Sequence, residues 1–285
     1  MVKIFYHKAD LDGHCAGAVA RHRYEGTGVE IEMIPMNYGD CFPWDSIAKD
    51  EEVVMLDFSL QPFTDMVRLH RDARLLWIDH HKSAIDASRL AGLDKEIPGI
   101  RIDGVAACRL AWRHFFPDEP EPRAVELLGL YDVWDMADEA VLPFQYGMRM
   151  QSTDPRDHYP LWKMLFESES RTLVPIFNQG ETILVYQTEE NRKYCNFSAF
   201  ETMLGEHRGI ALNRMMTNSM VFESVWDPVR HDLMIAFGWT GAKWTVSLYT
   251  MKPEVDCSAL ARQYGGGGHR KAAGFSCEAL PFSIM

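Results

Sequence analysis

Short apolar runs alternate with helix-compatible segments through the first eighty residues, and this alternation restricts the possible folds more than any other feature of the chain. Residues 2–6 form an apolar run, and residues 13–24 then carry Cys15, Ala18, Val19 and His22 at helical spacing. Residues 29–36 read as a second strand, 53–56 as a third and 75–78 as a fourth. Pro62 opens a helix-like stretch that runs to Leu69, since proline suits a first helical turn. Strand and helix in repeated alternation imply βαβ units, and hence an α/β fold with a parallel sheet and flanking helices.

The texture changes further along. Residues 117–122, PDEPEP, form an acidic, proline-rich loop, and helix-like sequence resumes over 123–131. Residues from about 155 to 205 read as connecting helices. From residue 209, four strands are expected at 209–215, 220–226, 232–239 and 243–250, with a hairpin connection at 239–242. A helix at 257–263 and a run of four glycines at 265–268 follow. The expected division is therefore a first α/β domain over 1–160, connecting helices over 161–205, and a smaller α+β domain over 206–285.

Charge divides along the same line. The chain holds 29 Lys+Arg and 41 Asp+Glu, a net −12. Residues 206–285 hold 8 and 7 of these, so the whole negative excess lies in residues 1–205. That balance argues against a partner that is a long nucleic-acid duplex, because proteins that track phosphates present basic surfaces. A hydrophobic share of 47% excludes a mostly disordered chain. The N-terminus shows no apolar signal-peptide core, and no stretch approaches a membrane span. The six cysteines form no CxxC or zinc-like spacing and read as small core residues, so a cytoplasmic protein is expected.

The carboxylates have particular addresses. The first strand runs into His7, Asp10 and Asp12, the third into Asp57, and the fourth into Asp79, His80 and His81. In an open parallel sheet the carboxyl ends of the strands line one crevice, where ligands bind. Three distant segments thus deliver three histidines and four aspartates to one edge. Oxygen donors with a few imidazoles and no thiolate suit Mn²⁺, Mg²⁺ or Co²⁺. The candidates are too many for one ion and suit a pair sharing a carboxylate, which can clamp a phosphate and acidify water. His14 and His22, on the helix that follows, read as structural or surface residues.

These residues resemble the DHH phosphoesterases. The resemblance rests on HKADLDG at 7–13, LDFS at 56–59, DHH at 79–81, YDVWD at 131–135 and GGGGHRKAAGF at 265–275, in the family's order. HxxDxDG and the MNYGD segment at 36–40 look closest to the NrnB-like branch. The resemblance implies two divalent ions, Mn²⁺ foremost with Mg²⁺ or Co²⁺ as alternatives. His7, Asp10 and Asp57 would hold one ion. Asp12, Asp57, His80 and Asp132 would hold the other, with Asp57 bridging and Asp132 preferred to Asp135. His81 would contact the scissile phosphate, and Asp79 would orient a neighbouring imidazole.

The same resemblance assigns Gly266, Gly267, Gly268, His269 and Arg270 to substrate binding, in a C-terminal domain closing an active-site cleft. The Ala-rich sequence after them reads as a helix start, which would aid phosphate binding. Asn37 and Tyr38 are further candidates for ligand contact. The implied activity is hydrolysis of phosphodiesters in short substrates, nanoRNA, dinucleotides or cyclic nucleotides. Phosphoanhydride hydrolysis and a non-catalytic nucleotide or RNA sensor are the alternatives. A short nucleotide is the expected partner, a membrane is not, and a homodimer is left open.

Overall fold

The computed structural model describes residues 1–93, 95–167 and 169–282. The chain divides into two units, Met1–Leu184 and Val185–Met285. The first contains β1 (Val2–His7), α1 (Leu11–Tyr24), β2 (Ile31–Met36), β3 (Glu52–Leu56), α2 (Thr64–Asp72) and β4 (Arg74–Ile78). Helices α3 (Lys82–Leu90), α4 (Ala107–Phe115), α5 (Arg123–Asp132), α6 (Val141–Met148) and α7 (Pro155–Glu167) follow, and α8 (Glu169–Ser198) contains the boundary between the units.

The first unit is built on a four-stranded sheet in the order β2-β1-β3-β4, with every pair parallel. All six residues of β1 are buried. Val2, Ile4 and Tyr6 face a core shared with Cys15, Val19 and Leu110, while Phe5 faces another with Met55, Met66 and Trp77. A sheet covered on both faces requires apolar residues at successive positions, which is why these strands read as continuous runs.

The strand order positions the site. The chain leaves β1 for β2 on one side, then crosses to β3 on the other, so the order reverses between β1 and β3. The carboxyl ends flanking such a reversal form a crevice, because the following connections diverge there. Helix α1 starts close against it. A Cβ on Gly13 would lie 2.1 Å from the His7 carbonyl oxygen, so only glycine admits this approach.

The second unit, taken by itself, is a six-stranded mixed sheet in the order β5-β6-β7-β8-β10-β9. Its elements are β5 (Phe200–Leu204), β6 (His207–Asn213), β7 (Leu233–Trp239), β8 (Trp244–Tyr249), α9 (Cys257–Arg262), β9 (Gly267–Gly268) and β10 (Ala272–Cys277). Leu233, Ile235, Val246, Leu248 and Phe275 bury one face, and Ile210, Leu212, Met234 and Ala236 the other.

Several sequence expectations change here. Residues 220–226 do not form a strand. The Asn218 side chain accepts from the Met220 N–H and starts a single 3₁₀ turn, Ser219–Phe222. Val221, Phe222, Val225 and Trp226 then pack into one cluster instead of alternating between faces. β5 lies in the stretch read as connecting helix, and the Ala-rich segment is strand β10, not a helix start. Pairing with β8 and burial of Ala273 and Phe275 override alanine's helix preference. Cys15, Cys108, Cys195 and Cys257 are buried as expected, but Cys41 is exposed. No helix among the described residues is long and apolar enough to cross a membrane.

Candidate metal centre

The loop after β1 supplies the first two candidate ligands. His7 ends the strand with its ring buried, and its Nε2 lies 3.2 Å from Asn37 Oδ1. Asn37 Oδ1 also accepts the Tyr38 N–H at 2.8 Å. An Nε2–H donated to Asn37 leaves the Nδ1 lone pair for the centre. Nδ1 lies 3.0 Å from Asp10 Oδ2 and 3.4 Å from Asp57 Oδ2. The other Asp10 oxygen caps α1 by accepting the Gly13 N–H at 2.9 Å. One side chain thus starts the helix and faces the site.

Asp57 follows β3 directly and is 1% exposed. Its backbone is left-handed, φ 54°, a strained conformation for a residue with a side chain. Its N–H is held by the Ile78 carbonyl at 3.0 Å. The two carboxylate oxygens face different partners. Oδ2 approaches His7, while Oδ1 lies 3.3 Å from His80 Nε2 and 3.8 Å from His81 Nδ1.

Asp79 directly follows β4 and is completely buried. Its Oδ1 accepts from the His80 N–H (2.7 Å), the His81 N–H (3.0 Å) and His81 Nδ1 (2.7 Å). Oδ2 accepts the Trp77 indole N–H at 3.2 Å, which the Phe58 carbonyl shares at 3.0 Å. Asp79 is therefore the clamp that sets the turn and orients the His81 ring.

The remaining carboxylates come from helices. Asp12, in the first turn of α1, is 3% exposed. Its two oxygens accept the Ala107 and Cys108 N–H groups, at 2.8 and 2.7 Å. The residue before α4, Ala106, offers no side-chain cap, and Asp12 satisfies the helix start from 95 residues away. Asp132 ends α5 with its Oδ2 3.4 Å from His80 Nε2, and Asp12 Oδ2 lies 3.7 Å from the same nitrogen. Asp135 instead accepts the Ala137 N–H at 3.1 Å.

The donors form three overlapping groups, each with ligand atoms within 4.8 Å of one another. They are His7–Asp10–Asp57, Asp57–His80–His81 and Asp12–His80–Asp132. His7 Nδ1, Asp57 Oδ1 and Asp132 Oδ2 are buried there without a hydrogen bond. Burial alone lowers the imidazoles, yet Asp10 and Asp57 bring His7 up to about 10, and Asp57, Asp12 and Asp132 bring His80 to about 10. Burial and the neighbouring Asp57 push Asp12 up to about 7, and burial with Asp12 raises Asp132 well above the carboxylate range. Such a concentration of negative charge binds protons strongly without cations. Orphaned donor atoms, hard oxygen ligands and imidazoles fit divalent cations.

The chain matches no protein-family model. Among solved structures it is similar to a DHH domain whose parent protein is described as a member of a family of ribosomal proteins. The TM-score is 0.60 at 13% identity, covering 96% of this chain and 82% of that one. The two share a fold. An exopolyphosphatase-related protein from Bacteroides fragilis has a similar fold, with TM-score 0.53, 15% identity and coverage of 98% and 87%. So does a pGpG-specific phosphodiesterase from Vibrio cholerae, with TM-score 0.52, 14% identity and coverage of 97% and 92%. A curated relative, an uncharacterized protein of Acanthamoeba polyphaga mimivirus, is 25% identical over 80% of this chain, which spans 53% of that protein's length.

The residues expected to bind substrate lie in the second unit. Gly267 and Gly268 pair with Gly274 and Ala273, and a Cβ on Gly266 would meet the Gly274 carbonyl oxygen at 2.1 Å. His269 and Ala272 exchange backbone hydrogen bonds, so the HRK triplet is the exposed tip of the β9–β10 hairpin. Arg270 donates to the Pro253 carbonyl at 2.7 Å. Sequence reasoning missed Trp77, the α4 N-terminus and the role of Asn37 behind His7. Only the MNYGD segment carried a signal for any of them.

Proposed function

We propose that the chain is a divalent-metal-dependent phosphodiesterase acting on short nucleotide substrates, nanoRNA, dinucleotides or cyclic nucleotides. The observation that carries this reading is Asp57, whose two oxygens face two separate groups of donors, as a bridge between two ions requires. Mn²⁺ is the cation assigned first. Divalent ions bound there supply Lewis acidity toward a phosphoryl oxygen and acidify water.

The chain's own groups do the rest. Asp79 holds the His81 imidazole, and although burial lowers that ring, the carboxylate raises it overall, so it is suited to donate to a phosphoryl oxygen as charge develops. Asn37 fixes the His7 tautomer, and α4 fixes Asp12. The Gly266–Gly267–Gly268–His269–Arg270 hairpin is assigned the phosphate or terminal nucleotide away from the scissile bond. The fold shared with the Vibrio phosphodiesterase supports a nucleotide substrate.

The test is hydrolysis with Mn²⁺ of a panel of dinucleotides, longer single strands, 3′,5′- and 2′,3′-cyclic nucleotides, pyrophosphate and polyphosphate. Turnover of phosphodiesters, lost with EDTA, is expected. Turnover confined to pyrophosphate or polyphosphate, or metal binding without any turnover, would overturn the reading.

A further inference from the structure

Beside the metal-centre candidates, within the first unit, lies a chamber of about 300 Å³. Asp10, Asp12 and Asp132 are among its lining residues. His14, Gln145 and Thr153 are among the others. None of these last three is in the donor groups of the centre. The volume is at the lower end of small-molecule sites, roughly 300–1,000 Å³, and suits one small moiety rather than a length of chain.

Gln145 is the unusual residue here. It lies on α6, is 5% exposed, and its Oε1 is buried without a hydrogen-bond partner. A buried amide left unpaired is costly, and such groups persist where a ligand completes them. Leu11 and Leu128 also line the chamber, and several of its other polar residues are already engaged. His14 Nδ1 lies 2.9 Å from Thr153 Oγ1. The Gln151 amide donates to Gly147 and Gln179. Arg149 donates to the Tyr131 hydroxyl at 2.9 Å, with its guanidinium over that ring and over Tyr146.

We infer that this chamber receives the ribose next to the scissile phosphate, and that the Gln145 amide hydrogen-bonds its 2′-hydroxyl. The inference rests on the phosphodiesterase reading and deepens it. Asp10, Asp12 and Asp132 belong both to the metal-centre candidates and to the chamber lining, so a phosphate at the centre brings the sugar bonded to it to this chamber. Base pockets stack the ring on aromatic faces. Among the described lining residues Tyr131 is the only aromatic ring besides His14, and Arg149 already covers it. A neutral amide amid hydroxyl and imidazole groups matches a sugar hydroxyl, and the 2′-hydroxyl is the group by which a protein distinguishes RNA from DNA.

The test compares kcat/KM for ApA and dApdA with Mn²⁺, in the wild-type protein and in Gln145→Met, with bis(p-nitrophenyl) phosphate as a sugar-free diester. A site built to bond a hydroxyl rejects the analogue lacking it, so the wild type is expected to prefer ApA by about tenfold or more. Gln145→Met is expected to lower kcat/KM for ApA and bring the ratio toward one. A wild-type ratio near one overturns the inference whether or not the variant folds. An unchanged ratio in a folded variant overturns it too. Failure of the wild type to cleave all three diesters and the cyclic nucleotides removes the phosphodiesterase reading itself, an outcome distinct from cleavage without sugar discrimination.

Discussion

Replacing Asp79 with Asn preserves the side chain's shape while removing its charge, and the structure gives the size of the effect. One Asn oxygen can keep the three donors that Asp79 Oδ1 now accepts, but as neutral bonds about half as strong as those to a carboxylate. Its NH₂ then faces the Trp77 indole N–H, donor against donor. The Phe58 carbonyl, at 3.0 Å, still satisfies that indole, so the full cost of an orphaned donor is avoided. The expected loss is about 2–3 kcal/mol, against about 3–5 kcal/mol for Asp79→Ala, which strands His81 beside an empty site. For a unit of this size that lowers the melting temperature by roughly 5–10 °C in Asp79→Asn. The variant remains folded at 25 °C, yet the His81 ring loses its clamp, and turnover should fall about 100-fold. Calorimetry and initial rates on one preparation separate the two effects. A variant that melts with the wild type, or turns over within about threefold of it, would refute the role given to Asp79.

Asp57→Asn should abolish turnover at saturating Mn²⁺ while leaving a folded protein, since Asn tolerates left-handed backbone; circular dichroism and rate assays decide. Asp132→Asn should lose activity and Asp135→Asn should keep it, because Asp135 accepts only the Ala137 N–H among the described hydrogen bonds, a contact that Asn reproduces. Gly13→Ala should destabilise the first unit by more than about 2 kcal/mol and weaken Mn²⁺ binding in titration calorimetry, as its Cβ would enter the His7 carbonyl. With EDTA, stability should fall as pH rises. Asp12, raised to about 7, loses its contribution from the unfolded carboxylate value up to that pH; His7 and His80, raised to about 10, lose theirs from about 6.5 to about 10. Mn²⁺ competes with those protons, so the rise in melting temperature on adding it should be larger at pH 8 than at pH 6.

The strand ends were legible because both kinds of information lie close together in sequence. Each strand of a doubly covered sheet is a short apolar run, and the next residue is at the crevice. His7, Asp57, Asp79, His80 and His81 are all read this way. What supports them could not be read so, because it comes from contacts between distant segments. Asp12 gives no sign in sequence that it caps a helix at Ala107, nor Trp77 that its indole reaches Asp79. The second unit was harder for a related reason. Val221 and Phe222 look β-compatible in isolation, and the Ala272–Ala273 pair looks helical, but the sheet and the Asn218 cap decide otherwise.

Asp12 also sets an order of events during synthesis. Its carboxylate needs the amides of Ala107 and Cys108, and the donor group it joins is completed only by Asp132. A ribosome that has released β1, α1 and the next two strands has therefore delivered His7, Asp10 and Asp57 but not the far half of the centre. Until α4 and α5 emerge, a nascent chain lacks the amides that hold Asp12 and the carboxylate of Asp132. Under the two-metal reading, tight binding of both ions would begin only once residue 132 has emerged.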